Sequence, residues 1–278
     1  MATTDSRGDW PRTLFVERPE LFLPFLEQAK GKAKEEVEAL SKVMKEKGVP
    51  KGGRVLDLGC GIGRHSVPLA KRGHEVVGLD LSPEFIRRAK AYAREQGVTE
   101  STSFEVGDMR RIASVLRGQS PFDVIINMWT SLGYYGEDVD REVLRQLARL
   151  AAAGGVLLLE MGNRDGILQQ FRDRDWDAAG DIVQLVTRRY EPDRSYMVNE
   201  WAFYRREGED LRFLGNLTVD HRFYAADDLR ELVESAGWVV EDIYSGLGLE
   251  PLDPRSPKTR MLLVARKGEP SSETTEEG

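Results

Sequence analysis

The sequence predicts a doubly wound α/β fold: a mostly parallel sheet with helices on both faces, plus an antiparallel β insertion that forms a lid. Three observations predict it. Short apolar runs alternate with helical patterns from residue 54 to residue 160. A turn carrying glycine at every second position follows the first of those runs, at 59–63. Between 161 and 222 the alternation gives way to three strand-like stretches, and it resumes from 223. Strands separated by helices build parallel sheets, whereas strands separated by short turns build antiparallel ones.

In chain order, residues 1–50 read as an N-terminal helical cap segment. Its first part is aromatic and proline-punctuated, with Trp10, Phe15, Phe22, Pro24 and Phe25. A helix then follows from Ala33, Val37, Leu40 and Met44 at helical spacing, stopped by Gly48 and Pro50. The core unit, 51–160, reads as strand 54–58, helix 64–72, strand 75–80, helix 83–97, strand 102–106, strand 122–127, helix 138–152 and strand 155–160. Ser82 and Pro83 open the second helix as N-cap and first-turn proline. The insertion, 161–222, reads as three strands at 181–190, 196–205 and 211–222 with turn signals between them. The core returns over 223–267 with helix 226–236 and strands 238–244 and 259–266. The tail, 268–278, is acidic and apolar-poor and is expected to be disordered.

The chemistry concentrates at the first turn. Residues 55–63 read Val-Leu-Asp-Leu-Gly-Cys-Gly-Ile-Gly, and the next apolar run ends at Asp80. Strand, glycine turn, helix and a later acid form the arrangement that holds nucleotide-like cofactors, the acid being placed for ribose hydroxyls. A dinucleotide loop reads GxGxxG; here the spacing is GxGxG, with Arg64 where that third glycine would stand. Asp57, inside the turn region, suits a positively charged ligand and repels a pyrophosphate.

With these residues the chain resembles the class I SAM-dependent methyltransferases. The likeness is carried by VLDLGCGIGRH, VVGLDLS, Gly107-Asp108-Met109-Arg110, the 122–127 run ending in Asn127, and Gly154 to Glu160. It covers roughly 50–162 and resumes at 223–266. The resemblance implies a seven-stranded sheet whose last strand is antiparallel, and S-adenosylmethionine as cofactor. It further implies that Gly59, Cys60, Gly61 and Gly63 shape the cofactor floor and that Asp57 lies beneath the methionine portion. Asp80 is expected on the ribose, Leu81 and Met109 on the adenine faces, Asp108 on its exocyclic amine, and Asn127 at the same sheet edge. It also implies methyl transfer, with S-adenosylhomocysteine released.

The acceptor is less legible. Trp129, Tyr134, Arg222 and Tyr224 are candidates to bind it, and His221 and Tyr135 are candidate catalytic groups. Asn127 lacks the prolines that follow it in the DNA-base relatives, which argues against DNA. The 278 residues carry a net charge of −7 with no obvious basic footprint. One cysteine and three scattered histidines offer no disulfide framework and no metal-ligand spacing. No run is long enough to span a bilayer and no secretory signal opens the chain, so a cytoplasmic location is expected. The expected reaction is methylation of an N or O of a small molecule. A protein or tRNA methyltransferase, an NAD-dependent oxidoreductase, a non-catalytic SAM-binding protein and a homodimeric assembly stay open.

Overall fold

The computed structural model describes residues 9–119, 121–253, 255 and 257–269. Most of the acidic tail lies outside these residues. The chain runs α1 (Trp10–Arg12), a π-helical turn (Thr13–Glu17), α2 (Pro19–Ala29), α3 (Ala33–Glu46), β1 (Arg54–Leu58), α4 (Ser66–Lys71), β2 (Glu75–Asp80) and α5 (Pro83–Glu95). It continues with β3 (Thr102–Val106), α6 (Ile112–Val115), β4 (Phe122–Asn127), α7 (Glu137–Leu150), β5 (Ala151–Gly162) and α8 (Arg164–Gln169). Then come β6 (Arg174–Ala179), β7 (Ile182–Glu191), β8 (Tyr196–Glu207), β9 (Asp210–Arg222), α9 (Ala226–Glu234), β10 (Trp238–Tyr244) and β11 (Arg260–Lys267).

Seven strands form one sheet in the order β10-β11-β5-β4-β1-β2-β3. β1 pairs in parallel with both β2 and β4, so the winding reverses there and leaves a crevice above the strand ends. The antiparallel strand is β11, between β5 and β10. Alternation sorts side chains to two faces. Val55, Val76, Val124 and Leu158 meet α3 and α4, while Leu56, Leu79, Ile125 and Leu157 meet α6, α7 and α9.

One sequence expectation needs correction. The insertion has four strands, β6-β7-β8-β9, all antiparallel. β6 reads Arg-Asp-Trp-Asp-Ala-Ala and is largely exposed, so an edge strand with little apolar alternation escaped the pattern. Residues 19–29 form a helix despite Pro24 inside it. Here tertiary packing wins: Leu21 and Phe25 are buried with Trp10 and Leu14 against Ala179, Ile182, Phe203 and Val219 of the insertion. Cap and insertion therefore share one apolar core above the sheet edge.

Candidate active site

The crevice at the carboxyl ends of β1, β2 and β3 holds a largely apolar cavity. Gly59, Cys60 and Gly61 line its floor, and the backbone N–H groups of Gly59 and Cys60 donate to the Leu79 carbonyl, tying the turn to β2. Gly59 sits at φ +73°, and a Cβ there would fall 2.8 Å from Ser131 Oγ. Only glycine fits this corner. Asp80 accepts from Gly61 N–H at 2.8 Å through one carboxylate oxygen and from Ser82 N–H at 2.8 Å through the other. Burial lifts its pKa from 3.8 to about 6. Each oxygen keeps a lone pair for a ribose hydroxyl. Leu81, Asp108 and Met109 also line the cavity, as do Tyr134 and Tyr135. Asp80, Leu81, Asp108, Met109 and the glycine turn, the residues expected on the cofactor, therefore stand around one cavity.

Three further residues expected around the cofactor lie beneath the floor, as expected for Asp57. Asp57 is 1% exposed and accepts from Ser66 Oγ at 2.6 Å, pinning β1 to the start of α4; burial raises its pKa. Asn127 donates through Nδ2 to the Leu58 carbonyl. Gly63 faces Ala89 and Phe104, where the absent Cβ lets α5 and β3 approach. None of the three is among the cavity-lining residues. Cys60 does line the cavity, but burial and the nearby Asp57 and Asp80 raise its thiol well above the ordinary range, so it stays protonated.

Other partners were not legible in the sequence. Asp108 is gripped by Arg110, whose Nη2 lies 2.5 Å from the carboxylate and 3.5 Å from Asp9 of the cap. This guanidinium also lies 4.1 Å above the Tyr135 ring. Tyr135 thus stands beside Asp108 and Arg110 in this cavity, and it does not line the second cavity described next. Burial holds its phenol above the usual value, which removes it as a base at neutral pH. Glu36 of α3 pairs with Arg64 and sits 2.9 Å from His65 Nε2. The cap supplies Pro11, Phe15, Phe22 and Leu26 to the same cavity.

A second, open cavity lies between the strand ends and the inner face of the insertion sheet. It shares Phe15, Phe22, Trp129 and Tyr134 with the first. Asp175, Asp177, Gln184, Asn199, Trp201 and His221 project from its ceiling. They share a face because they alternate along β6 to β9. His221 Nε2 lies 2.8 Å from the Leu132 carbonyl. A carbonyl only accepts, so Nε2 carries the proton and Nδ1 is left as an acceptor. Burial lowers the His221 pKa to about 4, with the charge of Arg260 pushing the same way.

Arg222 and Tyr224 are not placed on an acceptor, because neither lines the cofactor or the insertion cavity. Arg222 pairs with Glu137 and donates to the Arg194 carbonyl. Tyr224 is 1% exposed, and its hydroxyl donates to Asp140 Oδ2 at 2.6 Å. Asp140 also accepts from Gly133 N–H, so this pair braces the 131–136 loop. Tyr224→Phe is expected to lower stability by about 1–3 kcal/mol, because a buried carboxylate loses a partner. Cofactor affinity should stay unchanged; urea unfolding beside calorimetry checks both.

Comparison with known proteins agrees with this geometry. Residues 55–155 match the family model of a methyltransferase domain. A putative methyltransferase of Bacillus subtilis, YqeM, is 25% identical over 225 residues, covering 80% of this chain and 87% of its own. The tRNA 5-carboxymethoxyuridine methyltransferase of Escherichia coli is 36% identical over 129 residues, covering 46% of this chain and 47% of its own. Among solved structures, the sugar N-methyltransferase KedS8 from Streptoalloteichus superposes with a TM-score of 0.68 at 22% identity, over 97% of this chain and 98% of that one. With its sheet order, its glycine turn and the Asp80 carboxylate lining the cavity, the chain carries a methyltransferase domain over residues 55–155 on a Rossmann-like fold, and the proteins it resembles point to SAM-dependent methyl transfer.

Proposed function

We propose that this enzyme methylates a nitrogen of a compact, polar small molecule bound beneath the insertion sheet. The observation that carries the reading is the pair of adjoining cavities, which share Phe15, Phe22, Trp129 and Tyr134. S-adenosylmethionine, when bound, supplies a sulfonium methyl open to in-line displacement. The chain's own residues then align and shield. Asp80 would hold the ribose, and Leu81 and Met109 the adenine. The cap aromatics Phe15 and Phe22 exclude water from the junction, and the shared walls hold the acceptor beside the cofactor, which is the main contribution such a transfer needs.

Nitrogen is favoured over hydroxyl oxygen because, among the described residues that line both cavities, Tyr134 is the one titratable group, and it is no base at neutral pH. Tyr134 and Tyr135 are both held above the usual phenol range by burial. His221, at about 4, is too weak to remove an alcohol proton but can accept a hydrogen bond through Nδ1. An amine that has lost one proton to water carries its own nucleophilic pair. The insertion cavity is lined by charges of both signs, Asp175 and Asp177 beside Arg172, Arg188 and Arg260, which suits a polar acceptor. The fold likeness to a sugar N-methyltransferase extends over the insertion as well as the core.

The test is a panel of small amines, amino sugars and matched alcohols assayed with radiolabelled S-adenosylmethionine, beside bulk tRNA and protein. Transfer to an amine is expected, with a pH profile that follows the acceptor's own pKa. His221→Ala should lower kcat about 10–100-fold, a loss in the range of an orienting contact. Transfer confined to tRNA or protein would replace this reading with the macromolecular one.

A further inference from the structure

Directly after β4 the backbone turns through two successive non-glycine residues in the left-handed region, Trp129 at φ +63° and Thr130 at φ +62°. Such a conformation costs roughly 1–3 kcal/mol per residue and is unusual for a β-branched side chain, so the surroundings must hold it. The holding groups come from β5 and β11. Glu160 accepts from Trp129 N–H at 2.9 Å through Oε2, and its backbone carbonyl accepts from Thr130 N–H at 3.1 Å. Thr130 Oγ1 accepts from Gly162 N–H at 3.0 Å and from Arg260 Nη1 at 2.7 Å. Arg260 closes the arrangement by donating from Nε and Nη2 to both Glu160 carboxylate oxygens. Glu160 and Thr130 are each 6% exposed.

The corner so fixed aims one side chain. Trp129 is 39% exposed, and its indole lines the cofactor cavity, the insertion cavity and a third cavity opening between α2, α3 and the 245–247 turn. Arg64 lies 5.1 Å over the indole and Phe22 lies 5.9 Å from it. We infer that Glu160 and Arg260 are positioning residues, whose clamp on the left-handed Trp129–Thr130 corner sets the indole as the partition between cofactor and acceptor. The inference rests on the acceptor site proposed above. An ion pair that merely joined β5 to β11 would not need to reach both the amide of Trp129 and the hydroxyl of Thr130.

Glu160→Leu, Arg260→Met and the conservative Glu160→Gln test this in the full chain. Amide exchange, S-adenosylhomocysteine affinity and the tryptophan fluorescence change on adding S-adenosylhomocysteine are read, with Trp129→Phe defining the share due to Trp129. The first two variants are expected to speed exchange at residues 129 and 130 at least tenfold, with β4 and β5 within twofold. They should abolish the Trp129 share of the fluorescence change while affinity moves less than threefold. Glu160→Gln keeps an oxygen for the Trp129 amide and should restore most of both signals. On an amine identified by the panel, the disruptive variants should lower kcat at least tenfold at an unchanged KM for S-adenosylmethionine. Exchange that rises uniformly along β4 and β5, or not at all, would overturn the inference, as would an equal fluorescence change in all variants. Absence of turnover on every amine would sink the acceptor reading, while exchange and fluorescence would still decide the clamp.

Discussion

Asp80→Ala is expected to weaken binding of S-adenosylmethionine and S-adenosylhomocysteine by a factor of about 10²–10⁴, measured by calorimetry. Two hydroxyl groups donating to one carboxylate contribute about 1.5–3 kcal/mol each, because the acceptor is charged. The side chain also organises the protein, since its oxygens accept from Gly61 and Ser82 N–H. Asp80→Asn separates the two effects, because the amide oxygen can still accept from one of these donors while the charge is gone. A wild-type affinity in the alanine variant would remove Asp80 from the cofactor site.

The same carboxylate predicts a pH dependence with a definite sign. Its pKa in the folded protein is about 6, above the ordinary 3.8. The unliganded fold therefore takes up a proton between those values, and this group favours folding at the acid end of that window, an advantage lost as pH rises toward 6. Ligand binding pulls the other way, because ribose hydroxyls need the ionised acceptor. Affinity should be flat above pH 7 and fall about tenfold by pH 5, one unit below the pKa, with proton release on binding. A pH-independent affinity in wild type would refute that assignment.

Paired truncation of the cap aromatics, Phe15→Ala with Phe22→Ala, should have the next largest effect. Both rings line the cofactor cavity and the insertion cavity, and they contact each other with centroids 5.4 Å apart. Phe22 also stacks on Trp201 of the insertion at 6.4 Å. Removing both opens the junction to water and deletes half-buried apolar area, which costs less than the roughly 3–5 kcal/mol of a fully buried phenylalanine. S-adenosylhomocysteine affinity is expected to fall about 10–100-fold, and methyl transfer further, because alignment is lost together with binding. Phe213→Ser, at a ring 56% exposed, is the control and should change affinity and stability little. Equal behaviour of the double variant and this control would show that the cap does not cover the cofactor.

The cofactor half of the site was largely legible in the sequence because its chemistry is local. Gly59, Gly61 and Asp80 stand at fixed offsets from the ends of two consecutive strands, and parallel pairing of β1 with β2 brings them together whatever surrounds them. Asp57, Asn127 and Gly63 show where local reading stops. The motif places them at the edge, yet which side of the backbone faces the ligand depends on packing against Ser66, Leu58 and Ala89. Arg222 and Tyr224 looked equally functional, but the Asp140 carboxylate that claims Tyr224 lies 84 residues away in sequence.

The sequence by itself determined the alternating α/β architecture and the glycine turn, since period, turn chemistry and spacing are short-range properties, and its motifs carried the resemblance that implied the cofactor. Tertiary structure alone decided the cap and the insertion. The edge strand β6 carries no apolar alternation to announce it, and α2 forms across a proline because its buried face meets the insertion. The left-handed corner at Trp129 and Thr130 is held by Glu160 and Arg260, through contacts 31 and 130 residues apart along the chain. Such contacts are set by long-range burial and hydrogen-bond satisfaction, which no window of neighbouring residues contains.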